Sequence, residues 1–487
     1  MLNRRRFALG LAATVSPGLF GSRSGNGEPV DFSTPLPIPK LIDAAKKGNA
    51  VKLRAAPGMH AFIKGKPTST YGYSAPVLGP VIRLRRGDEV EMTVENALDC
   101  ETTVHCHGLS VPSHIDGGPH QPIKPGNSWR PVLRIDQPPS TAWFHPHAHH
   151  DTGRQVYMGL TGMIIIDDSS YSHLDLPRAY GVDDLPIILQ DRSFESDGSL
   201  DYSPSPLSVI YGSRGDTIVV NGAIRPLAEV PRGLVRLRLL DAANARNFYL
   251  RFSDRRTFHV IASDAGFLTA PVAVSLLTIS PGERFEILVD FTDGKAVTLE
   301  TGPDEQIGLF DVLTDHDAEG EYAPVMRFQP ATRPVVRRTM PARLVEPAAA
   351  DPNAAVARRR FILDCRMGMR HGHAGMDEVQ MGINGKSHDM ARIDLDVKLG
   401  TTEIWEIVSI RTGHPFHVHG AAFRILSLNG QAPRAHLLGW KDVALVESKA
   451  ELLVAFNQPA TRQSPFMFHC HILEHEDAGM MGQYVCA

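Results

Sequence analysis

The densest chemistry in the chain lies at residues 466–481, Phe-Met-Phe-His-Cys-His-Ile-Leu-Glu-His-Glu-Asp-Ala-Gly-Met-Met. Cys470 sits between His469 and His471; His475 follows five residues after the cysteine and Met480 ten after it. Two histidines, one cysteine and a weak axial methionine are the ligand set of a blue-copper electron-transfer site. His475 and Met480 can close on Cys470, which leaves one imidazole to come from elsewhere. If Phe466–Ile472 is a strand, alternate side chains point to opposite faces, so His469 and His471 face away from the thiolate. They are then available to a different metal.

Three more histidine clusters stand upstream: His105-Cys106-His107-Gly108, Trp143-Phe-His145-Pro-His147-Ala-His149-His150, and His414-Pro-Phe-His417-Val-His419-Gly420. Histidines two apart on a strand share a face, the arrangement a multinuclear site needs. A single His-x-His is as readily an ordinary surface strand. Recurrence beside a cysteine and a methionine at blue-copper spacing is not.

Ligands scattered over hundreds of residues need rigid elements to converge, and the chain between them reads as β-structure. Val81–Asn96 alternates apolar and charged residues around Gly87-Asp88, which predicts a half-exposed strand pair joined by a turn. Similar units recur at Val219–Leu240 and Ile383–Val408. Three copies about 150 residues apart predict three two-sheet, Greek-key β-sandwich domains. The expected domains are 45–170, 184–328 and 358–487. Boundaries fall in Asp167–Asp184 and in the Pro-, Ala- and Arg-rich stretch Gln329–Ala357, which predicts an exposed connector.

Composition agrees: 36 prolines, 42 glycines and few long helical periodicities point to an all-β protein. A formal charge of -4 gives no reason to expect nucleic-acid binding. Arg4-Arg5-Arg6-Phe7 before a short apolar run resembles a twin-arginine signal, so residues 1–27 are expected to direct export, to the periplasm or beyond, without a membrane span. Five cysteines cannot all pair. With Cys470 given to metal, Cys100, Cys106, Cys365 and Cys486 are read as unpaired thiols.

On these four motifs the chain resembles the three-domain multicopper oxidases, of the bacterial laccase and cuprous oxidase type, over nearly all its length after the signal. The resemblance implies cupredoxin-like domains and four copper ions. It implies a type 1 copper on His414, Cys470 and His475 with Met480 axial, and a type 2 copper on His105 and His417. The type 3 pair would lie on His107, His145, His147, His419, His469 and His471. O₂ would be the electron acceptor, reduced by electrons passing from Cys470 through its bonded neighbours His469 and His471. Asp116 and Glu476 stand where such enzymes keep proton donors. The middle domain, holding only His259 and His316, is expected to keep the outer two in place. His149 and His150 are expected near the cluster without ligating; His60, His114, His120, His173, His388 and His436 are expected to be ordinary residues.

Two departures bear on the reductant. The Met- and His-rich insertion of cuprous oxidases is reduced here to Met367, Met369, His371, His373, Met376 and Met381, which reads either as a vestige or small soft-metal site of its own or as a flexible loop. The acid and methionine that those enzymes place before the His-Pro-x-His motif are here Ile410 and Thr412. An open approach to His414 and His475 would suit phenols and aromatic amines, which favours a laccase-like monomeric oxidase. Cu(I) oxidation is the alternative, and a copper-free envelope scaffold is disfavoured by the intact ligand set. Met480 implies a modest type 1 potential.

Overall fold

In a computed structural model, which describes residues 31–304, 321–332, 338–346, 350–367, 379–410 and 412–487, the folded unit Phe32–Ala487 is built from three successive pairs of β-sheets. The protein is all-β and cupredoxin-like. The α-helices among the described residues are short: Thr152–Met158, Pro206–Tyr211 and Leu473–Asp477. No helix among them is long and apolar enough to cross a membrane.

The recurring unit is not the hairpin that alternation predicted. Val81–Arg85 and Glu89–Asn96 form as strands, yet they join different sheets. The first pairs in parallel with Leu41–Asp43 and Gly162–Asp167, the second with Ala50–Ile63. Gly87, at φ +92°, carries the chain across, a conformation only glycine adopts without strain. The same crossing recurs between Leu227–Val230 and Leu234–Asp241, and between Leu395–Val397 and Thr402–Ser409. Each crossing covers one apolar core with both of its strands, which is why the alternation looks alike in all three copies. A hairpin and a sheet-to-sheet crossing share that period, so the pattern alone does not separate them.

Each sandwich closes on its own core: Val51, Ile82 and Val94 in the first, Leu237, Phe252 and Phe285 in the middle, Trp405, Phe416 and Phe468 in the last. Trp405 is fully buried and donates its indole N–H to Glu403 at 2.9 Å, so the ring contributes apolar area without an unmet polar group. The stretch after the middle sandwich is less exposed than its composition predicted. Leu344 is buried against Leu174, Leu176, Ile261 and Leu288, and Arg338 pairs with Asp175 and Asp183. The two inter-sandwich segments therefore pack on each other, using apolar residues too widely spaced to show a period.

Candidate metal centre

Two adjacent strands sort the candidate ligands. His414–Val418 pairs antiparallel with Phe466–Cys470, placing Phe416 opposite Cys470 and His417 opposite His469. Alternation then puts His414 on the Cys470 face, and His417 and His419 on the His469 face. The turn of helix at Leu473–Asp477 brings the chain back, so that His475 Nδ1 lies 3.5 Å from Cys470 Sγ and 3.2 Å from His414 Nδ1. His414 Nδ1 is 3.3 Å from the same sulfur. Met480 is fully buried beside them; its N–H donates to the His475 carbonyl and its carbonyl accepts from the Cys470 N–H.

The outer edges of this triad are also tied. His475 donates its Nε2–H to the Ile210 carbonyl at 3.0 Å, which leaves Nδ1 as a lone pair facing the sulfur. His414 Nε2 lies 3.4 Å from Thr412 Oγ1. The Ile472 N–H donates to Cys470 Sγ at 3.3 Å, a contact that withdraws electron density from a thiolate. Burial lowers both imidazole pKa values, that of His475 to about 4, so both rings are neutral ligands at physiological pH.

On the other face eight buried imidazoles converge, from His105, His107, His145, His147, His417, His419, His469 and His471. His469 Nε2 lies 3.3 Å from His147 Nε2 and 3.1 Å from His419 Nε2. His471 stands 5.2 Å from His107 and 5.4 Å from His145, ring centre to ring centre. The first sandwich brings its four by one antiparallel bridge between His105 and His145. Outward-facing nitrogens have partners: His105 Nδ1 on the Asp116 carbonyl, His145 Nδ1 on the Pro146 carbonyl, His417 Nδ1 on the Asp442 carbonyl, and His107 Nε2 on the Asp442 carboxylate. The opposite nitrogens, His105 Nε2, His107 Nδ1, His145 Nε2 and His417 Nε2, and both nitrogens of His471, are buried with no partner among the described residues.

Uncompensated burial of that many polar atoms costs a few kcal/mol each, and a metal with imidazole ligands is what removes the cost. Neutral rings with one nitrogen held from behind are the usual form of metal-binding histidines. Burial, together with the neighbouring rings, pushes down the pKa values of His107, His145, His147, His417, His419 and His471. The donor set, imidazoles beside one thiolate, suits copper.

Three buried carboxylates surround the eight rings. Asp116 Oδ2 accepts from His419 Nδ1 at 2.8 Å and lies 3.2 Å from His105 Nδ1. Glu476 lies 3.2 Å from both His147 Nδ1 and His469 Nδ1, and burial pushes its carboxyl well above the usual range. Asp442 carries His107. A cavity of about 440 Å³ reaches this side of the cluster, lined in part by His105, Asp116, His417, His419 and Asp442.

The twelve predicted ligands thus fall into a triad with Met480 and an eight-imidazole group, with Asp116 and Glu476 against the latter. Sequence reasoning missed Asp442 and everything the middle sandwich supplies. Arg284 is fully buried and grips Asp442 with two nitrogens at 2.6 Å each. Burial works against the Arg284 charge, but Asp442 and Asp264 outweigh it and hold its pKa above the ordinary arginine value. Lys441 bridges Asp264 and Glu283 behind this pair. A Cβ on Gly282 would meet the His471 ring at 2.8 Å, so only glycine lets the middle sandwich close on that ring. Glu474, next to His475, accepts from Tyr202, Asn244 and the Ser213 N–H. Nothing in the local sequence of these residues marks them.

Two expectations need correcting. His414 and His475 are only 2% and 1% exposed, so their approach is not open: helix Pro206–Tyr211 covers His475. Met381 is 1% exposed and part of the third core, not of a soft-metal loop; Met369, His371, His373 and Met376 lie outside the described residues. His120 and His388 lie near His149 and His150, at one place on the surface of the first and last sandwiches.

Profiles described as multicopper oxidase match residues 56–171, 200–297 and 363–487. Among curated proteins, the chain is 36% identical to a cell division protein, FtsP, of Xenorhabdus nematophila, over 99% of this chain and 98% of that one. Among solved structures it matches a laccase-like multicopper oxidase, CueO, from a lignin-degrading Ochrobactrum species, with oxidase activity towards lignin model compounds. That match has 44% identity and a TM-score of 0.84, covering 93% of this chain and all of the other. The multicopper oxidase McoA of Aquifex aeolicus is 32% identical with a TM-score of 0.82, over 94% of this chain and 100% of its own.

Proposed function

The chain belongs to the multicopper oxidase family, and we propose that it is a four-copper oxidase that couples one-electron oxidation of phenolic reductants to reduction of O₂ to water. His414, Cys470, His475 and axial Met480 would hold the type 1 copper. His105 and His417 would hold the type 2 copper, and His107, His145, His147, His419, His469 and His471 the type 3 pair. Bound copper supplies the one-electron redox steps between reductant and O₂. The single observation that carries this reading is the set of buried nitrogens facing the cluster with no partner among the described residues, four of them on rings held from outside, His105, His107, His145 and His417.

The chain's own residues account for the remaining tasks. Cys470 is peptide-bonded to His469 and His471, so the two centres are joined through a few covalent bonds. Glu476, whose carboxyl burial pushes well above the usual range, lies 3.2 Å from two rings and would be the proton donor on that side. Asp116 orients His419 and faces the 440 Å³ cavity, the route by which O₂ and protons would arrive. Electrons would enter through His475, whose Nε2–H meets the Ile210 carbonyl. A pocket of about 570 Å³ flanks that helix, with Tyr157, Tyr202 and Tyr211 in its wall, which supports an aromatic reductant. Export by the twin-arginine route and action as a monomer belong to the same proposal.

The test is metal analysis of the reconstituted protein, with oxygen uptake on a simple phenol, Cu(I) and Fe(II) side by side. Four coppers per chain and uptake with phenol are expected; fewer than about three coppers contradicts the ligand assignment. The curated relatives' name favours a second reading, a role in cell division, which joins the copper-free scaffold alternative if it does not need the metal centre. Complementation separates them: under the second reading a Cys470→Ser protein restores division in a deletion strain as well as the wild type does.

A further inference from the structure

The short helix Leu473–Asp477, which carries His475, is held at both ends by residues of other sandwiches. At its C-terminal end the Asp477 carboxylate accepts from the Thr152 and Gly153 N–H groups at 2.9 and 2.8 Å, where helix Thr152–Met158 begins. At its N-terminal end the holding falls to one residue of the middle sandwich, Asn244. The Asn244 carbonyl accepts from the Leu473 N–H at 3.0 Å. Its side-chain Nδ2 donates to the Glu474 carboxylate at 2.8 Å and to the Gly153 carbonyl at 3.0 Å. Both partners are acceptors, which fixes the amide with its nitrogen towards them. One buried amide thus ties the middle sandwich to the first and the last.

Local sequence presents this residue. Strand Leu234–Asp241 ends on a carboxylate whose Oδ1 accepts from the Ala243 N–H at 3.0 Å, an Asx turn that redirects the chain. Ala242, Ala243 and Ala245 around Asn244 are buried, small enough for the loop to lie between sandwiches, and Ala245 packs into the core of the last one. Asn244 Oδ1 is buried with no partner among the described residues, which costs stability. An apolar side chain of that size would avoid the cost but leave Glu474 and Gly153 without their donor.

We propose that Asn244 is a positioning residue for the type 1 triad: through Leu473 and Glu474 it sets the helix that aims His475 Nδ1 at Cys470. The inference rests on the reading of His475 as a copper ligand. Glu474 is peptide-bonded to His475, whose Nδ1 stands 3.5 Å from Cys470 Sγ. A small rotation of this single helical turn therefore changes the ligand geometry on which the colour and potential of a blue-copper site depend. Tyr202 and the Ser213 N–H also reach Glu474, so loss of Asn244 moves the helix without releasing it.

Copper-loaded full-length protein is the material for the test. Asn244→Ala is expected to shift the blue absorption band and the type 1 reduction potential, with copper content unchanged. Asn244→Asp keeps the volume but turns the donor into a second acceptor facing Glu474; it is expected to shift both as well, and gives the reading if the alanine protein does not fold. Asn247→Ala is the control, because that buried asparagine of the same loop bonds Asp304 inside the middle sandwich; lower thermal stability with an unshifted band is expected. Since Asn244 acts through Glu474, the shifts of Asn244→Ala and Glu474→Gln are expected not to add in the double variant. In copper-free protein, hydrogen exchange over residues 472–479 is expected to quicken in Asn244→Ala and not in Asn247→Ala. A blue wild type whose Asn244 variants keep its band and potential overturns the proposal, as do equal shifts in Asn247→Ala or additive shifts in the double variant. A wild type with no blue band overturns the copper reading instead, and unchanged exchange in Asn244→Ala then overturns the positioning role too.

Discussion

The two candidate copper centres share a strand but are built in opposite ways. The triad of His414, Cys470 and His475 comes from one sandwich, its outermost members 61 residues apart in the chain, and takes from outside the Ile210 carbonyl on His475 and the contacts that hold Glu474 beside it. The eight-imidazole group takes four rings from the first sandwich and four from the last, and its outer shell needs Asp116 from the first, Asp442 and Glu476 from the last, and Arg284 and Gly282 from the middle. The first is local information, the second is docking information. The middle sandwich, which holds no ligand in either centre, touches both.

That contrast can be broken experimentally. Cys470→Ala removes the sulfur that only the triad uses, and also the bonded route between centres. Blue absorption and oxidase activity are both expected to fall to background, while the eight-imidazole group still binds copper by metal analysis. Arg284→Met is the converse change. It strands the Asp442 charge in a buried site, a change worth about 3–5 kcal/mol, and it lets go of the ring of His107. Loss of type 2 and type 3 copper with retention of the blue band is the expected result, and Arg284→Lys should recover part of it.

Asp116→Asn is smaller. It keeps the shape but loses the charge that holds His419 Nδ1–H, and turnover with saturating reductant is expected to drop by about 10–100-fold, with copper content close to normal. Steady-state oxygen uptake and copper analysis on one sample read both. Met480→Leu should be smallest. The blue copper remains, and redox titration should give a higher type 1 potential, because a weak axial donor has been removed. An unchanged potential would mean that Met480 does not reach the metal.

Much of this architecture is legible in the residues alone, and the reason is the strand period. Side chains two apart share a face, so His-x-His, His-Cys-His and His-Pro-x-His-x-His each state which rings point together. The fold class follows from the same alternation. What alternation does not encode is the partner of each strand. Val81–Arg85 and Glu89–Asn96 read as a hairpin, whereas in the fold they cross between sheets.

Equally silent are the groups that act at a distance along the chain. Arg284 is 158 residues from Asp442 and follows an ordinary Pro-Gly turn. Its role exists only once two sandwiches meet, since a buried ion pair is recognisable by what surrounds it. Covering of His475 by Pro206–Tyr211 is hidden for the same reason, as is the meeting of His149 with His388. Residues that bind metal carry their chemistry in their type and spacing. Residues that hold the binders do not.

The triad and the eight-imidazole group are proposed to hold copper in a fixed ratio of one to three. Copper stoichiometry with electron paramagnetic resonance on the fully reconstituted, oxidised protein tests it most directly. The prediction is four coppers per chain, with one type 1 and one type 2 signal and the remaining pair silent through coupling. A single blue copper, or none, would contradict the account.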